Sequence, residues 1–284
     1  MDTVALFGAA GKIGQRVSEG LRHDGEYNLL CVEVGEAALQ RLRDRGLSAV
    51  PQDQALREAD ILILGVPDTV IGKVASSAVP KLKSGALVIL LDPAAPHGGE
   101  LPERDDIAYF VTHPCHPPLI NDETEPEARN DFWGGLAKQH IVCALMQGTE
   151  EHYEKGVKLA RKMFAPVMNA HRITVEQMAI LEPAMAETVL LTCTVVMHEA
   201  IEEAIIRGVP RQVAVDFALG HLRVNIGILF GFLDAEVSDG AKLAVKRARQ
   251  MLFQPDWKRI FEPENVMTEV RSIVEGRAEV AKEG

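Results

Sequence analysis

Val4-Ala5-Leu6-Phe7-Gly8-Ala9-Ala10-Gly11-Lys12-Ile13-Gly14 opens the chain with a short apolar run, a glycine-spaced turn and the start of an amphipathic segment. That order is the first strand–turn–helix of a dinucleotide-binding fold, here with the spacing G-x-x-G-x-x-G. Gly8 permits the tight turn, Gly11 leaves room for the backbone to approach a pyrophosphate, and Gly14 lets the helix pack closely on the strand. Ala10, Lys12 and Ile13 complete the candidate phosphate-binding turn, where free N–H groups and a partial positive charge face the phosphates. The next apolar run, Tyr27-Asn28-Leu29-Leu30-Cys31-Val32-Glu33, ends in an acid. It lies about 20 residues past the loop, where a carboxylate meets a ribose 2′-hydroxyl. A carboxylate there repels a 2′-phosphate, so the expected cofactor is NAD rather than NADP. The plainer reading of Glu33 is a solvated strand end.

Outward from this motif, short apolar runs alternate with helical stretches as far as about residue 120. Strands are expected over 3–8, 28–33, 61–65, 87–91 and 107–111, and helices over 12–23, 36–45 and 69–81. This rhythm predicts a parallel sheet with right-handed crossovers. Asp60-Ile61-Leu62-Ile63-Leu64-Gly65-Val66-Pro67-Asp68 reads as a buried strand running into a turn. Carboxyl-end turns of a doubly wound sheet face the cofactor, so Val66 and Pro67 are candidates to line the nicotinamide side. Residues 117–136 read as a loop, 140–145 as a further strand and 150–164 as a helix.

A different composition begins near Thr174. Residues 175–207 carry helix formers and one proline, Pro183. As one helix they would span on the order of 50 Å. The run is interrupted by Glu182, Pro183 and Glu187, leaving too few clean apolar residues against the ~20 a membrane span needs. A helix apolar on every side is expected to be buried on every side, and so to continue into a partner subunit. Helices over 210–233, 236–252 and 263–280 complete the expectation. It is an α/β N-terminal Rossmann domain (1–172, a doubly wound parallel sheet) followed by an all-α C-terminal domain (173–284) with a long central helix.

The 284 residues suffice for two domains, and the net charge of −11 disfavours nucleic acid or an anionic membrane as partner. Four scattered cysteines form no C-x-x-C pair and no disulfide framework, which suits a reduced cytoplasm. The first strand begins at once and leaves no space for a signal peptide.

Two constellations could carry chemistry. Val111-Thr112-His113-Pro114-Cys115-His116-Pro117-Pro118 follows a late strand, at the edge where this fold class keeps its cleft. Prolines fix φ and make a rigid loop bearing two imidazoles, fit for proton transfer or metal ligation. His113 and His116 are the candidates, against the plainer reading of surface histidines in a stiff connection. The spacing with Cys115 is not that of a structural zinc site. The second constellation is Leu181-Glu182-Pro183-Ala184-Met185-Ala186-Glu187. A carboxylate on an apolar helix must be paired, metal-bound or neutralised, and Pro183 is expected to bend the helix beside Glu182. Glu182 is thus a candidate half-site for a divalent metal or the substrate, and Glu187 a reserve; both could instead pair with arginines across a subunit contact. His198 and Glu199 are as well read as interface residues, and His221 is a polar group in a further apolar stretch. Arg223 could clamp a carboxylate or pair with a helix acid.

The glycine motif, Val32-Glu33-Val34, the His113–Pro118 stretch and Leu181-Glu182-Pro183 together resemble the 6-phosphogluconate dehydrogenase-like superfamily, and most of all the D-apionate oxidoisomerases, across nearly the whole chain. The His-Pro pair also resembles a loop of prephenate dehydrogenases, while the lysine and asparagine signature of true 6-phosphogluconate dehydrogenases is missing. The resemblance implies an NAD-dependent oxidoisomerase. A branched polyhydroxy acid, D-apionate, would be oxidised at its 2-hydroxyl, and a carbon substituent would then migrate to leave a 3-oxo acid, 3-oxo-isoapionate. It also implies assistance by a divalent metal (Zn, Mn or Mg), with His113 and Glu182 as ligands, His116 and Glu187 in reserve, and a non-ligating histidine as base. The alternative is a simple NAD-dependent hydroxy acid or prephenate-type dehydrogenase without rearrangement. The expected assembly is a homodimer through the 175–207 helix.

Overall fold

The computed structural model describes residues 1–276. Seven strands form one sheet in the order β2-β1-β3-β4-β5-β6-β7. They are β1 (Asp2–Phe7), β2 (Tyr27–Val32), β3 (Ile61–Leu64), β4 (Leu87–Leu90), β5 (Ala108–Pro114), β6 (Gln139–Gln147) and β7 (Val167–Arg172). The first five pair in parallel, as the βαβ rhythm predicts. The chain steps from β1 to β2 on one side and to β3 on the other, which makes the carboxyl ends of β1 and β3 the switch point of the sheet.

The fully parallel expectation fails at β6, which runs antiparallel to β5. The physical reason is the connection. Residues 115–138 return to the same end of the sheet without a crossover, and only an antiparallel strand can start there. β7, which the periodicity does not reveal, pairs in parallel with β6 at the sheet edge. Its mix of polar and apolar residues, half of them exposed, suits an edge rather than a core strand.

Every residue of β3 and β4 is buried, because helices cover both faces and erase the polar–apolar alternation of a one-sided sheet. One face packs Phe7, Leu62, Leu64, Val88, Leu90 and Val111 beneath the helices Gln52–Glu58 and Asp68–Ala78. The other packs Leu6, Ile61, Ile63, Leu87, Ile89 and Phe110 beneath Lys12–Leu21 and Glu150–Met163.

The long helix is present as Val175–Ile206, 32 residues. The disturbance expected at Pro183 takes the form of wide i→i+5 turns over Ile180–Leu191 rather than a single bend point. A proline has no N–H for the bond four residues back, so rewinding is one way to keep the helix continuous. Three helices follow at Arg211–Leu229, Asp239–Leu252 and Pro263–Glu275. The part of the last predicted helix beyond residue 276 lies outside the described residues. By contacts the chain separates into two compact units, Met1–Pro183 with the segment from Val266, and Ala184–Asn265.

Burial on every side is not what this chain gives its long helix. Leu190, Leu191, Val195, Val196 and Met197 are all exposed. In length and composition the helix would also suffice to cross a membrane.

Candidate active site

The glycine turn is built as its spacing predicts. Gly8 adopts φ +80°, and a Cβ there would sit 2.2 Å from the Gly65 carbonyl oxygen. A Cβ on Gly14 would lie 2.0 Å from the Gly8 oxygen, so the helix touches the strand backbone itself. The helix starts at Lys12 with Gly11 as its N-cap and no side chain capping it, which leaves its first N–H groups for a ligand. The Ala10 N–H donates to the Glu33 carboxylate, which places Glu33 directly against the turn at the end of β2.

A cavity of about 1150 Å³ opens from this helix start along the carboxyl ends of the strands. Gly11, Lys12 and Ile13 line it at the helix start, and Val66, Pro67, His113 and His116 also line it. Gly8, Gly14, Ala10 and Glu33 shape the turn rather than the cavity wall. His113 does not sit in a loop: Thr112, His113 and Pro114 extend β5 and pair with β6. The strand expected over 140–145 is the partner, and its antiparallel pairing holds the segment in the sheet. Nδ1 of His113 lies 2.8 Å from the Leu91 carbonyl oxygen. A carbonyl can only accept, so Nδ1 holds the proton and Nε2 is left with a lone pair. Nε2 in turn faces Glu182 Oε1 at 3.9 Å, with the two side chains 25% and 19% exposed.

His116 has the left-handed φ of +60°, rare for a residue with a side chain. Its ring stands edge-on to Trp133 at 5.5 Å and to His113 at 6.3 Å. Burial lowers its pKa from the usual histidine value, and the neighbouring His113 and Arg16 act the same way against a hydrogen bond to the Trp133 carbonyl. Trp133 also lies beneath the Lys12 ammonium at 5.7 Å, and its carbonyl accepts from Arg16. The turn that carries it is held by Asp131, whose carboxylate accepts from the N–H groups of Trp133, Gly134, Leu136 and Ala137. Those bonds keep the Asp131 carboxyl below its ordinary pKa despite partial burial.

A divalent metal would find two facing donors here, the His113 Nε2 and the Glu182 carboxylate. Among the described residues no group of three or more His, Cys, Asp or Glu side chains could hold an ion. Zinc takes three or four protein ligands and magnesium or calcium six or more oxygens, so these residues alone do not make a resident metal site. Glu187 and His198 belong to the second unit, with Glu199. His221 stacks on Phe217 and bonds its carbonyl, and Arg223 is exposed rather than buried against a helix acid.

Residue-type reasoning passes over two carboxyls of the cavity wall, Asp68 and Asp92. Both follow apolar strands, so the carboxyl-edge rule that selects Val66 also points to them. Asp92 accepts from the Ala94 N–H at 2.7 Å. Burial, and then the Asp68 charge, raise its pKa above that of a free carboxyl.

A family model for the phosphogluconate dehydrogenase (decarboxylating) C-terminal domain matches residues 121–274, and one for NADP oxidoreductase, coenzyme F420-dependent, matches residues 3–96. The chain is 49% identical over 275 residues to D-apionate oxidoisomerase of Rhizobium rhizogenes, covering 96% of this chain and 100% of that protein. It is 44% identical over 274 residues to D-apionate oxidoisomerase of Cupriavidus necator, covering 96% and 99%. Among solved structures, a semialdehyde dehydrogenase NAD-binding protein from Cupriavidus necator, in complex with calcium and NAD, matches with a TM-score of 0.94 at 44% identity, over 96% of this chain and 99% of that one.

Proposed function

We propose that this chain, which belongs to the D-apionate oxidoisomerase family, is an NAD-dependent oxidoreductase that oxidises the 2-hydroxyl of D-apionate and rearranges its carbon skeleton to a 3-oxo acid. The observation that carries the chemistry is His113, whose lone-pair nitrogen is fixed toward the cavity by the Leu91 carbonyl. NAD supplies a hydride acceptor when it occupies the turn between Gly8 and Gly14. The NADP in one family description does not fit Glu33, whose carboxylate stands where a 2′-phosphate would need a positive charge.

His113 Nε2 takes the proton of the substrate hydroxyl as its carbon is oxidised. The Leu91 bond stops the ring from turning away and fixes which nitrogen acts. Glu182 lies opposite Nε2 and faces the imidazolium as it forms. Lys12 and Arg16, at the phosphate end, oppose the charge of anions entering the cavity. No step is routed through a metal. Turnover after exhaustive chelation decides whether one assists: full oxidoisomerase activity without metal would end that expectation.

The test of the reading is product analysis. Wild-type protein with D-apionate and NAD is expected to give NADH and a rearranged skeleton. NADH with the skeleton intact would instead identify a simple hydroxy acid dehydrogenase. Replacing His113 by Gln is expected to lower NADH formation by about 10²–10⁴-fold, the usual worth of a positioned base. The proposal includes a cytoplasmic homodimer, supported by the exposed apolar residues of the long helix.

A further inference from the structure

We propose that Asp92 is a second catalytic residue, a proton acceptor for the carbon-migration step, distinct from the oxidation that His113 serves. This rests on the oxidoisomerase reading above.

The argument begins with proton bookkeeping. Oxidation leaves His113 with one proton on each ring nitrogen. The ring is then an acid only, because Nδ1 is committed to the Leu91 carbonyl. The 2-oxo-3-hydroxy acid must next lose the proton of its 3-hydroxyl. The freed pair on O3 forms the C3=O bond, the C3–hydroxymethyl bond breaks, and its pair forms the new bond to C2. The C2=O π pair moves onto O2, which takes a proton. His113 can return its Nε2 proton to O2. While it holds that proton it cannot receive the one from O3, so a concerted step needs a second acceptor and no further oxidant.

Geometry supplies one. β4 and β5 pair in parallel with Leu90 opposite Val111. Asp92 follows Leu90 by two residues, just past the end of β4, as His113 follows Val111 within β5. Both line the same cavity. The charged groups facing Asp92 are Asp68, at the start of the helix packed on this face, and His113 on the neighbouring strand. Asp68 and burial make the Asp92 carboxylate a stronger base than a free one, and the Ala94 N–H fixes its orientation. Adjacent strands thus offer two separately held proton carriers to the two adjacent oxygens of one substrate.

The experiment is single turnover of Asp92→Asn with D-apionate and NAD, with reduction by borodeuteride at each time point and mass and carbon NMR analysis of the skeleton. Asn keeps an acceptor for the Ala94 N–H. The expected result is NADH formation within about threefold of wild type, rearranged product slowed about 100-fold or more, and build-up of the unrearranged 2-oxo acid. Asp92→Glu, which restores the carboxyl, is expected to recover part of the migration. If Asp92→Asn keeps the wild-type ratio of migration to oxidation, or loses both steps equally while binding NAD normally, the proposal is overturned. If Asp92→Asn no longer binds NAD, Asp92→Glu decides on the same ratio: slowed migration with intact oxidation supports the proposal, and an unchanged ratio overturns it. Failure of the oxidoisomerase reading is distinct, since wild type would then yield NADH with an intact skeleton.

Discussion

His116 couples the stability of the fold to pH. Its folded-state pKa lies below the usual histidine value of about 6.5 because the ring is buried beside His113 and Arg16. The unfolded chain therefore binds the proton first. The contribution to stability is complete above that ordinary value and is lost as pH falls through the lower, folded one. Melting temperature is expected to drop between about pH 7.5 and pH 5.5, and His116→Gln to flatten that drop. Equal slopes in the two proteins would refute it. Glycine contacts give a second prediction at this scale. A methyl on Gly14 meets the Gly8 oxygen at 2.0 Å, whereas Gly25 has nothing within 4 Å. Gly14→Ala is expected to destabilise by about 1–3 kcal/mol in denaturant unfolding, as overpacking does. Gly25→Ala is the control, in which no clash arises. Glu33→Gln, which leaves the fold intact, is expected to weaken NAD binding about tenfold and narrow its advantage over NADP, checked by titration of both.

Elements divide into those that local pattern specifies and those that only their neighbours specify. β1, its helix and β2 are legible because Gly11 and Gly14 answer the nearby Gly8 carbonyl, although Gly8 itself answers Gly65 beyond β3. β3 and β4 are legible as unbroken apolar runs, since burial on both faces demands them. β6 is visible as an apolar run but its direction is not, because direction depends on where residues 115–138 end. His113 was recognisable as a candidate from its place after a strand. That it is itself in the strand, and which nitrogen carries its proton, depend on β6 and on Leu91, outside its own segment. Asp92 escaped notice because a single acid after a strand has no motif; its meaning comes from the cavity wall it shares with His113. The segment around Trp133 has its own test. Four N–H groups converge on Asp131, so Asp131→Ala is expected to cost about 1–2 kcal/mol and to alter Trp133 fluorescence in a Trp257→Phe background. An unchanged emission spectrum and melting point would show that the turn is held by other contacts.

For the whole molecule the question is what covers the second unit. Within Ala184–Asn265, Phe217 is 66%, Leu229 73%, Phe230 72% and Phe232 64% exposed, as are residues of the long helix. A soluble monomer seldom shows apolar patches beyond a few hundred Å². A bilayer is a poor cover, because Glu182, Pro183 and Glu187 fall within the apolar run. A second copy is the cover that needs no further component, and a twofold interface would place each apolar helix against its own kind. The net charge of −11 sets two copies repelling each other at long range. For the proposed dimer, association would have to come from apolar burial, with added salt screening only the repulsion. The expected outcome in light scattering is twice the chain mass at micromolar concentration, unchanged or strengthened as salt rises from about 0.05 to 1 M. Phe217→Glu combined with Leu229→Lys is expected to shift the mass toward one chain. A wild-type monomer at every concentration, or a dimer that salt dissolves, would show that the exposed helices serve another partner.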